Sequence, residues 1–567
     1  MGTGATNTLG RISSSIFQQG AAELSFEACN DIPFGGVLLA LPALLATGLL
    51  CHISKFFEIP AGYYGIESIF LLLAFMALAR IKSIERLRYC PPGEWGKLLG
   101  LDRIPEVQTL RKKIGTLVSA QSILWSGQLC SDWMSEISDP VATFLIDGHV
   151  RVYHGSQTKL PRHHVSRQKL CLRATTDYWV NAMDGNPFLV ITKEVDPGLL
   201  QVLETEIVPI LEKEAPFQNT LADLMNGNSM KPRFTIIFDR EGYSPDFFLR
   251  MQKKHIACQT YHKYPGDDWP ESEFTMCLVK LANGEEVQMN LAERGTFLGK
   301  TLWVREIRRL SKGGHQTAII TTDFCSEAAK IASCMFARWS QENFFKYMRV
   351  NYGLDNLIDH KTEDVPDTTK VVNPRYRDYS NKIKVKAAIL GRRKAAFGAL
   401  NLVDEISDKS VSEFENKKSQ LKEEIEGIIS ELAKLKQEKK EIDSHITISE
   451  LPEEERFKRL SVHSKHFIDT IKMIAYRSES AMANVLREKM SRTKEARSLL
   501  QAIYTREADI FPDYEKEMLF VSFHHLANKS EDEAIQHLCN ELNLTETKFP
   551  GTNLQISYKL GTSQNPR

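Results

Sequence analysis

The sequence predicts an α/β protein whose central domain, residues 141–365, carries a β-rich insertion and is flanked by helical regions. Three observations support this fold class. Short apolar runs with alternating polar residues begin near residue 141, which is typical of β-strands. Longer stretches with apolar residues three and four positions apart follow them, as in amphipathic helices. Residues 260–318 combine strand patterns with polar turns and predict the β-rich insertion.

Length and composition are those of a globular protein of several domains. The chain has 567 residues, of which 42% are hydrophobic and 25% charged. Because 72 Lys and Arg balance 72 Asp and Glu, a DNA-binding surface would require local charge asymmetry. The ten cysteines form no C-x2-C pair, which argues against a structural zinc site and favours a reducing compartment. We therefore expect a cytoplasmic protein.

The N-terminal part predicts a flexible tail, residues 1–30, and a helical domain, residues 31–140. Two apolar runs, at residues 37–50 and 69–79, are shorter than the roughly 20 apolar residues that a membrane-spanning helix needs. We predict that both are buried helices and that the protein has no membrane partner. A membrane span is the alternative interpretation.

A candidate DNA-binding element follows these runs. A short helix at residues 94–99, a turn at residues 100–105 and a second helix from Glu106 outline a helix-turn-helix. Arg111 and Lys112 on the second helix would contact DNA. Residues 80–113 contain nine basic and four acidic side chains, a net charge of +5 (9 − 4). The alternative is an amphipathic helix pair with solvated charges.

The C-terminal part predicts three segments. Residues 366–410 form a basic linker, because residues 374–394 contain eight basic side chains and one acidic one, a net charge of +7 (8 − 1). Residues 411–445 have apolar residues at spacings of four and three with Glu and Lys between them, which predicts a coiled coil. It would pair with another chain or fold back on a neighbouring helix. Residues 446–567 predict a mainly helical region.

Three acidic residues occur where a metal site would need them. Asp147 ends the apolar run VATFLID, Asp239 ends RFTIIFD, and Glu342 lies in a long helix predicted over residues 326–350. Carboxylate oxygens are the preferred ligands of Mg²⁺, and a pair of such ions supports phosphodiester cleavage. The alternative for an acid at a strand end is a turn residue.

Other polar residues near these acids allow two interpretations each. Asp323 also ends an apolar run, and it is either a fourth metal ligand or, as we favour, a helix cap. His149 and His154 follow Asp147 closely. They could orient water or DNA, although partly exposed strand histidines are the favoured interpretation.

The segments around the second and third acids resemble motifs of the DDE transposases of bacterial insertion sequences. The resemblance is to the large group with a Y-x2-R-x3-E-x6-K signature around its glutamate. The segment from Asp239 to Ser244, DREGYS, is similar to the second-aspartate motif of that group. Arg338 and Glu342 match the signature, Arg349 stands at its Lys position, and Met335 replaces its Tyr.

This resemblance implies an RNase H-like catalytic core over about residues 140–350, with a coiled coil and helical region after it. The first aspartate is expected on the first strand, the second after the fourth strand, and the glutamate on a late helix. The acids Asp147, Asp239 and Glu342 would bind two Mg²⁺ ions, for which Mn²⁺ can substitute. The side chains expected to contact DNA are Arg240, Arg338, Trp339 and Arg349.

The resemblance also implies an activity and partners. The expected activity is metal-dependent strand cleavage at transposon ends and strand transfer into target DNA. The partners would be double-stranded DNA, both the inverted repeats and the target, with a dimer in the synaptic complex and a location at the nucleoid. One alternative is a catalytically inactive, transposase-derived DNA-binding protein. Another is a membrane-anchored coiled-coil scaffold.

Overall fold

The computed structural model describes residues 8–16, 21–137, 141–153, 160–165, 168, 170–193, 197–216, 231–281, 284–299, 301–356, 362–400, 408–460, 462–526 and 528–561. With 49% of the chain in helix and 22% in strand, the structure confirms the α/β class. The chain forms two compact units. The first unit comprises Met1–His154, Arg162–Lys361 and Leu460–Arg567, and the second comprises Gly155–Pro161 and Thr362–Arg459.

The N-terminal part of the first unit is mainly helical. Its elements are α1 (Thr8–Ile16), β1 (Cys29–Ile32), α2 (Leu41–Ala46), α3 (Ile53–Phe56), α4 (Ile66–Leu78), α5 (Pro92–Lys97), α6 (Val107–Leu117) and α7 (Gln121–Ser135). The two apolar runs are buried, as predicted: they form a 3-10 helix at Gly35–Ala40, α2 and α4 within one large core. Among the described residues, no helix has the length and hydropathy to span a bilayer.

A ten-stranded sheet follows. Its strands are β2 (Ala142–Val152), β3 (Arg162–Val165), β4 (Leu170–Asn181), β5 (Pro187–Lys193), β6 (Phe234–Ile237), β7 (Ile256–Tyr261), β8 (Thr275–Lys280), β9 (Glu286–Leu298), β10 (Leu302–Leu310) and β11 (Gln316–Thr321). Their order is β3-β4-β2-β6-β7-β11-β10-β9-β8, and β5 also pairs with β4. Only the β2–β6 and β6–β7 pairs are parallel within this sheet, so the parallel strands lie at its centre.

The region predicted as a β-rich insertion continues this sheet. Strands β8, β9 and β10 pair in antiparallel fashion and join the centre through β11, which pairs with β7. The local pattern of residues 260–318 identified these strands but gave no information about their pairing partners. The insertion therefore lengthens the central sheet at one edge, where β8 is the last strand.

Helices connect and cover these strands. They are α8 (Leu199–Val202), α9 (Val208–Glu214), α10 (Pro245–Lys253), α11 (Ala328–Phe336) and α12 (Arg338–Tyr347). A π-helical turn at Leu203–Ile207 joins α8 to α9, and another at Met348–Tyr352 follows α12. The single helix predicted over residues 326–350 is thus divided at Ala337, which ends α11 and precedes α12.

The second unit contains a helical hairpin and short strands. Its elements are β12 (Thr362–Asp364), β13 (Lys370–Val372), α13 (Pro374–Gly398), α14 (Asp408–Lys440), β14 (His445–Thr447) and β15 (Lys458–Leu460). The segment predicted as a basic linker is mostly the helix α13, because its Ala and Lys-rich sequence favours helix. The predicted coiled-coil segment is α14, and within the chain it packs against α13.

The end of the chain returns to the first unit. Its elements are α15 (His463–Arg487), α16 (Ala496–Tyr504), β16 (Ala508–Asp513), β17 (Met518–Phe523), α17 (Lys529–Asn543) and β18 (Gln555–Leu560). Strands β16, β17 and β18 form a four-stranded sheet with β1. This differs from the prediction of a loose tail at residues 1–30 and a mainly helical region at 446–567. Local patterns do not reveal the pairing of Ile32 with Ala508, which are far apart in sequence.

Candidate active site

Two of the acids lie side by side at the centre of the ten-stranded sheet. In the parallel pair β2–β6, Leu145 is the register partner of Ile237. Asp147 and Asp239 each follow that pair by two residues, so they lie at the same level of neighbouring strands, although β2 continues to Val152 whereas β6 ends at Ile237. Alternation along a strand places residues two apart on one face. Leu145 and Ile237 share an apolar cluster with Ile331 of α11, so the acids follow on the face that α11 covers.

An arginine joins the two aspartates. Arg338, the first residue of α12, places Nη2 3.5 Å from Oδ2 of Asp147 and Nη1 3.4 Å from Oδ1 of Asp239. Its side chain is 9% exposed, whereas those of Asp147 and Asp239 are 26% and 52% exposed. The guanidinium is therefore less accessible than the carboxylates, of which that of Asp147 is half-buried and that of Asp239 is exposed.

The third acid lies one helical turn further along α12. Glu342 is four residues after Arg338, so both side chains project from the same side of the helix. Glu342 is exposed. Its charge contributes to raising the pKa values of both Asp147 and Tyr261, and Asp239 has the same effect on both groups. These shared effects show that the three acids predicted from sequence influence the same groups, although their carboxylate oxygens do not all lie within 4.8 Å of one another.

Burial and the neighbouring acids raise the pKa of Asp147 to about 6. Desolvation of the Asp147 carboxyl is the main cause, and the charges of Asp239 and Glu342 raise its pKa further. The guanidinium of Arg338 and the backbone N–H of Gly148, 2.9 Å from Oδ1 of Asp147, lower it. The raised pKa therefore reflects mainly the desolvation of Asp147, with a smaller contribution from the neighbouring acids.

The beginning of α12 is fixed to the sheet by a buried amide. Gln341 is 1% exposed, and its Nε2 donates to the carbonyl oxygens of Leu145 at 3.2 Å and Trp179 at 3.3 Å. It also donates to Oδ1 of Asn181 at 2.9 Å. Since Leu145 precedes Asp147 by two residues, these bonds connect the strand of one acid to the helix of another. Gln341 is a positioning residue in this arrangement.

The end of α12 is held by a buried ionic network. Glu479 of α15 is fully buried and accepts hydrogen bonds from Tyr347 at 2.6 Å, from Tyr352 and from Arg80 at 2.7 Å. Tyr347 is the last residue of α12, and Tyr352 ends the π-helical turn after it. Burial, followed by the charge of Glu479, raises the pKa of Tyr347, so this phenol remains a hydrogen-bond donor.

The residues expected to contact DNA surround this site unevenly. Trp339 is 65% exposed beside Arg338. Arg240 is exposed and lies over the ring of Tyr261, 5.6 Å from its centroid. Arg349 is half-buried in the π-helical turn, and its charge helps to lower the pKa of Asp355, although burial opposes that shift. Trp339 and Arg240 are thus open to a ligand, whereas Arg338 is engaged with the aspartates.

The predicted helix-turn-helix corresponds to α5 and α6. Arg111 is 58% exposed and forms an ion pair with Glu85, and Lys112 is exposed. Lys113 instead donates to the backbone carbonyls of Pro60 at 3.4 Å and Tyr64 at 3.0 Å. The outward side of α6 therefore presents Arg111 and Lys112, the two residues expected to contact DNA.

The remaining candidates have structural partners. Oδ1 of Asp323 accepts from the backbone N–H groups of Cys325 and Ser326, so it stabilises the turn before α11. The N-cap of α11 is Glu327, and the favoured prediction of Asp323 as a helix cap was wrong. His149 is buried, with Nε2 2.6 Å from Oδ1 of Asp355 and its ring stacked on Phe345. His154 lies outside the described residues.

One departure from the signature has a clear structural setting. Met335, at the Tyr position, is fully buried in α11 and belongs to the apolar cluster under the sheet. Phe336, its neighbour, is partly buried and covered by the guanidinium of Arg309, 4.7 Å from the ring centroid. Neither side chain is placed to contact DNA as the signature tyrosine is expected to do.

Sequence reasoning missed the residues that hold the acids in place. Gln341 and Glu479 carried no recognisable motif, and a polar residue in an amphipathic helix is normally interpreted as solvent-exposed. For Arg338, the signature predicted a functional arginine but not its contact with two aspartates. Only the spacing of Arg338 and Glu342 was informative, because a separation of one helical turn predicts that both side chains project from the same side of the helix.

These features define a mixed α/β protein with an acidic cluster at the centre of its sheet. A family model described as "Transposase protein" matches residues 2–562, nearly the whole chain. The chain therefore belongs to the Transposase_29 family of transposases. The search of curated proteins found no match.

Proposed function

We propose that this transposase is a DDE enzyme of the Y-R-E-K group, with Asp147, Asp239 and Glu342 as its catalytic acids. The observation that carries the proposal is the placement of Asp147 and Asp239 at one level of two parallel strands, with Arg338 between them and Glu342 one turn further along a helix fixed to the same strand. The position of the acids also agrees with an RNase H-like core. Asp147 lies on β2, the first strand of the large sheet in chain order. Asp239 follows β6, which is the fourth strand of this sheet when the short β3 is not counted.

The donor set fits divalent metal ions. All three groups offer carboxylate oxygens, which hard cations such as Mg²⁺ and Mn²⁺ prefer. The contacts of Arg338 with both aspartates indicate that the pair of acids attracts positive charge. Two ions bound there would activate an attacking water or 3′-hydroxyl and stabilise the leaving oxygen.

The protein side chains have separate roles in this proposal. Asp147 must lose its proton before it can act as a ligand, so the site becomes competent as the pH rises through about 6. Gln341 orients α12, and with it Glu342, relative to the strand of Asp147. The exposed Trp339 and Arg240 contact the DNA that enters the site. Pairing of two transposon ends would require at least a dimer.

The test uses the purified full-length chain and a linear DNA carrying the genomic sequence on both sides of its gene. We expect Mg²⁺- or Mn²⁺-dependent cleavage by the wild type and a loss of at least 100-fold in Glu342→Gln. Glu327→Gln is the matched control, because Glu327 is an exposed acid just before α11 and its removal changes the charge equally. Equal cleavage by wild type and Glu342→Gln would refute the assignment. Binding of this DNA without metal-dependent nicking would identify an inactive DNA-binding derivative instead.

A further inference from the structure

The helical hairpin of the second unit presents a basic surface on the side of α13 that faces away from α14. Helices α13 and α14 run antiparallel, as four contacts along them show. Nζ of Lys439 lies 4.3 Å from the ring centroid of Tyr376, Lys386 pairs with Glu431, Nε of Arg393 is 2.9 Å from Oε2 of Glu424, and Nζ of Lys418 lies 5.9 Å from the centroid of Phe397. As the residue number rises along α13, the number of the contacting residue on α14 falls. The same four contacts identify the side of α13 that faces α14.

The opposite side of α13 is exposed and basic. At about 100° per residue, seven residues fall on that side. They are Arg377, Asn381, Lys384, Ala388, Gly391, Arg392 and Ala395, all exposed. None of the seven is acidic. Small residues alternate with the cationic ones, so an approaching surface can come close to the helix backbone.

The positive charge of α13 is only partly neutralised. The helix contains eight basic residues and one acid, a net charge of +7 (8 − 1), whereas α14 contains eight of each. Three basic residues have ion-pair partners: Lys382 with Asp378, Lys386 with Glu431 and Arg393 with Glu424. Within the described residues, Arg377, Lys384 and Arg392 form no ion pair. Arg375 and Lys394 also form no ion pair within the described residues, so three of the five unpaired cations of α13 lie on the side facing away from α14.

We propose that this face of α13, with Arg377, Lys384 and Arg392, binds the phosphate backbone of double-stranded DNA. Arg377 and Arg392 are 15 residues apart, or about 22 Å along the helix, with Lys384 between them. Duplex DNA carries one phosphate charge per about 1.7 Å of its axis, so cations at this spacing meet several phosphates. The partner is DNA rather than RNA, because the major groove of B-DNA admits an α-helix and that of A-form RNA is too narrow.

This inference rests on the proposed function only in taking DNA as the partner, and it concerns residues outside the acidic cluster. The test is fluorescence anisotropy of the full-length chain with a labelled 40-base-pair DNA of mixed sequence between 50 and 200 mM NaCl. The variant combines Arg377→Gln, Lys384→Gln and Arg392→Gln. The matched control combines Lys422→Gln, Lys436→Gln and Lys440→Gln on α14, which removes three exposed charges from the same hairpin.

Loss of three phosphate contacts should make the slope of log K against log [NaCl] less negative by about 2.7, or about 0.9 per contact. The affinity of the α13 variant should fall at least tenfold at 100 mM NaCl, while the control stays within twofold of the wild type. Equal affinities and slopes for the two variants would overturn the inference. A loss confined to duplex RNA of the same length would overturn it as well.

The two proposals fail in different ways. If the wild type does not cleave the flanking DNA but the α13 variant still loses affinity, the catalytic assignment is wrong and this binding surface stands. If cleavage depends on Glu342 but the α13 variant binds as the control does, only the present inference is wrong. Circular dichroism and thermal unfolding of both variants establish that each is folded, as expected for exposed substitutions.

Discussion

Replacement of Asp147 by Asn should stabilise the metal-free protein while removing a proposed ligand. Burial, with the charges of Asp239 and Glu342, raises the pKa of Asp147 from 3.8 to about 6 in the folded state. The folded state therefore binds this proton more tightly than the unfolded state. That contribution to stability is present below pH 3.8 and is lost as the pH rises through about 6. Asn resembles the neutral acid and is not subject to this loss.

The magnitude follows from the shift. A difference of 2.2 (6 − 3.8) at 1.36 kcal/mol per unit gives about 3 kcal/mol in favour of the Asn variant at pH 8. At pH 5, where the folded-state acid is still mostly protonated, the same relation gives about 1.6 kcal/mol. The advantage of Asp147→Asn should therefore nearly double between these two pH values.

The assay is urea unfolding in EDTA at pH 5 and pH 8, followed by tryptophan fluorescence. Trp179 is a suitable reporter because it is the register partner of Asp147 in the β2–β4 pair. Asp268→Asn, at an exposed loop position, is the control and should show no such dependence on pH. A variant less stable than the wild type at pH 8, or an advantage that does not grow with pH, would refute the reasoning.

Three further predictions concern the same site. Mg²⁺ at ten times its Kd should raise the unfolding free energy of the wild type by about 1.4 kcal/mol and leave that of Asp147→Asn unchanged. The gain should shrink below pH 6 in urea titrations, because metal and proton compete for one carboxylate. Gln341→Leu removes the two N–H donors that three buried acceptors share, so the unfolding free energy should fall by about 1–3 kcal/mol per lost donor. Cleavage should fall with it; unchanged cleavage would remove its positioning role. Glu479→Gln leaves Arg80 without its buried counter-ion and should cost about 3–5 kcal/mol in unfolding free energy, against no change for the exposed Glu541→Gln.

Local patterns in the sequence predicted the elements that carry the acids. The runs before Asp147 and Asp239 are apolar and end in an acid, which is typical of buried strands that stop at the edge of a core. Both runs are strands in the structure, but only β6 ends before its acid, whereas β2 continues past Asp147 to Val152. The pattern could not reveal that the two strands are parallel neighbours in register. The chain between them contains three other strands, β3, β4 and β5, so the pairing of β2 with β6 is long-range and leaves no local signal.

Pairing across long sequence distances could not be predicted. Strand β1 pairs with β16. Nearby, the hydroxyl of Tyr514 accepts a hydrogen bond from the backbone N–H of Phe26 at 2.8 Å and donates one to the carbonyl oxygen of Phe26 at 2.9 Å. Neither β1 nor β16 is amphipathic over more than a few residues, so hydrophobic periodicity does not predict that these strands pair. The prediction of a loose N-terminal tail came from this limitation. The same limitation concealed the continuation of the central sheet into β8–β10.

The position of Arg338 bears both on its predicted contact with DNA and on its observed contact with the two aspartates. The signature predicted a contact with DNA phosphate, whereas the structure places its guanidinium against two aspartates at 3.4 and 3.5 Å. These distances exceed the 2.7–2.9 Å of strong charge-assisted hydrogen bonds. Within the described residues its Nε has no hydrogen-bond partner. A cation held this loosely can exchange the aspartates for a phosphate once another positive charge occupies the carboxylates. Metal binding and the DNA contact of Arg338 would then be coupled steps, each making room for the other.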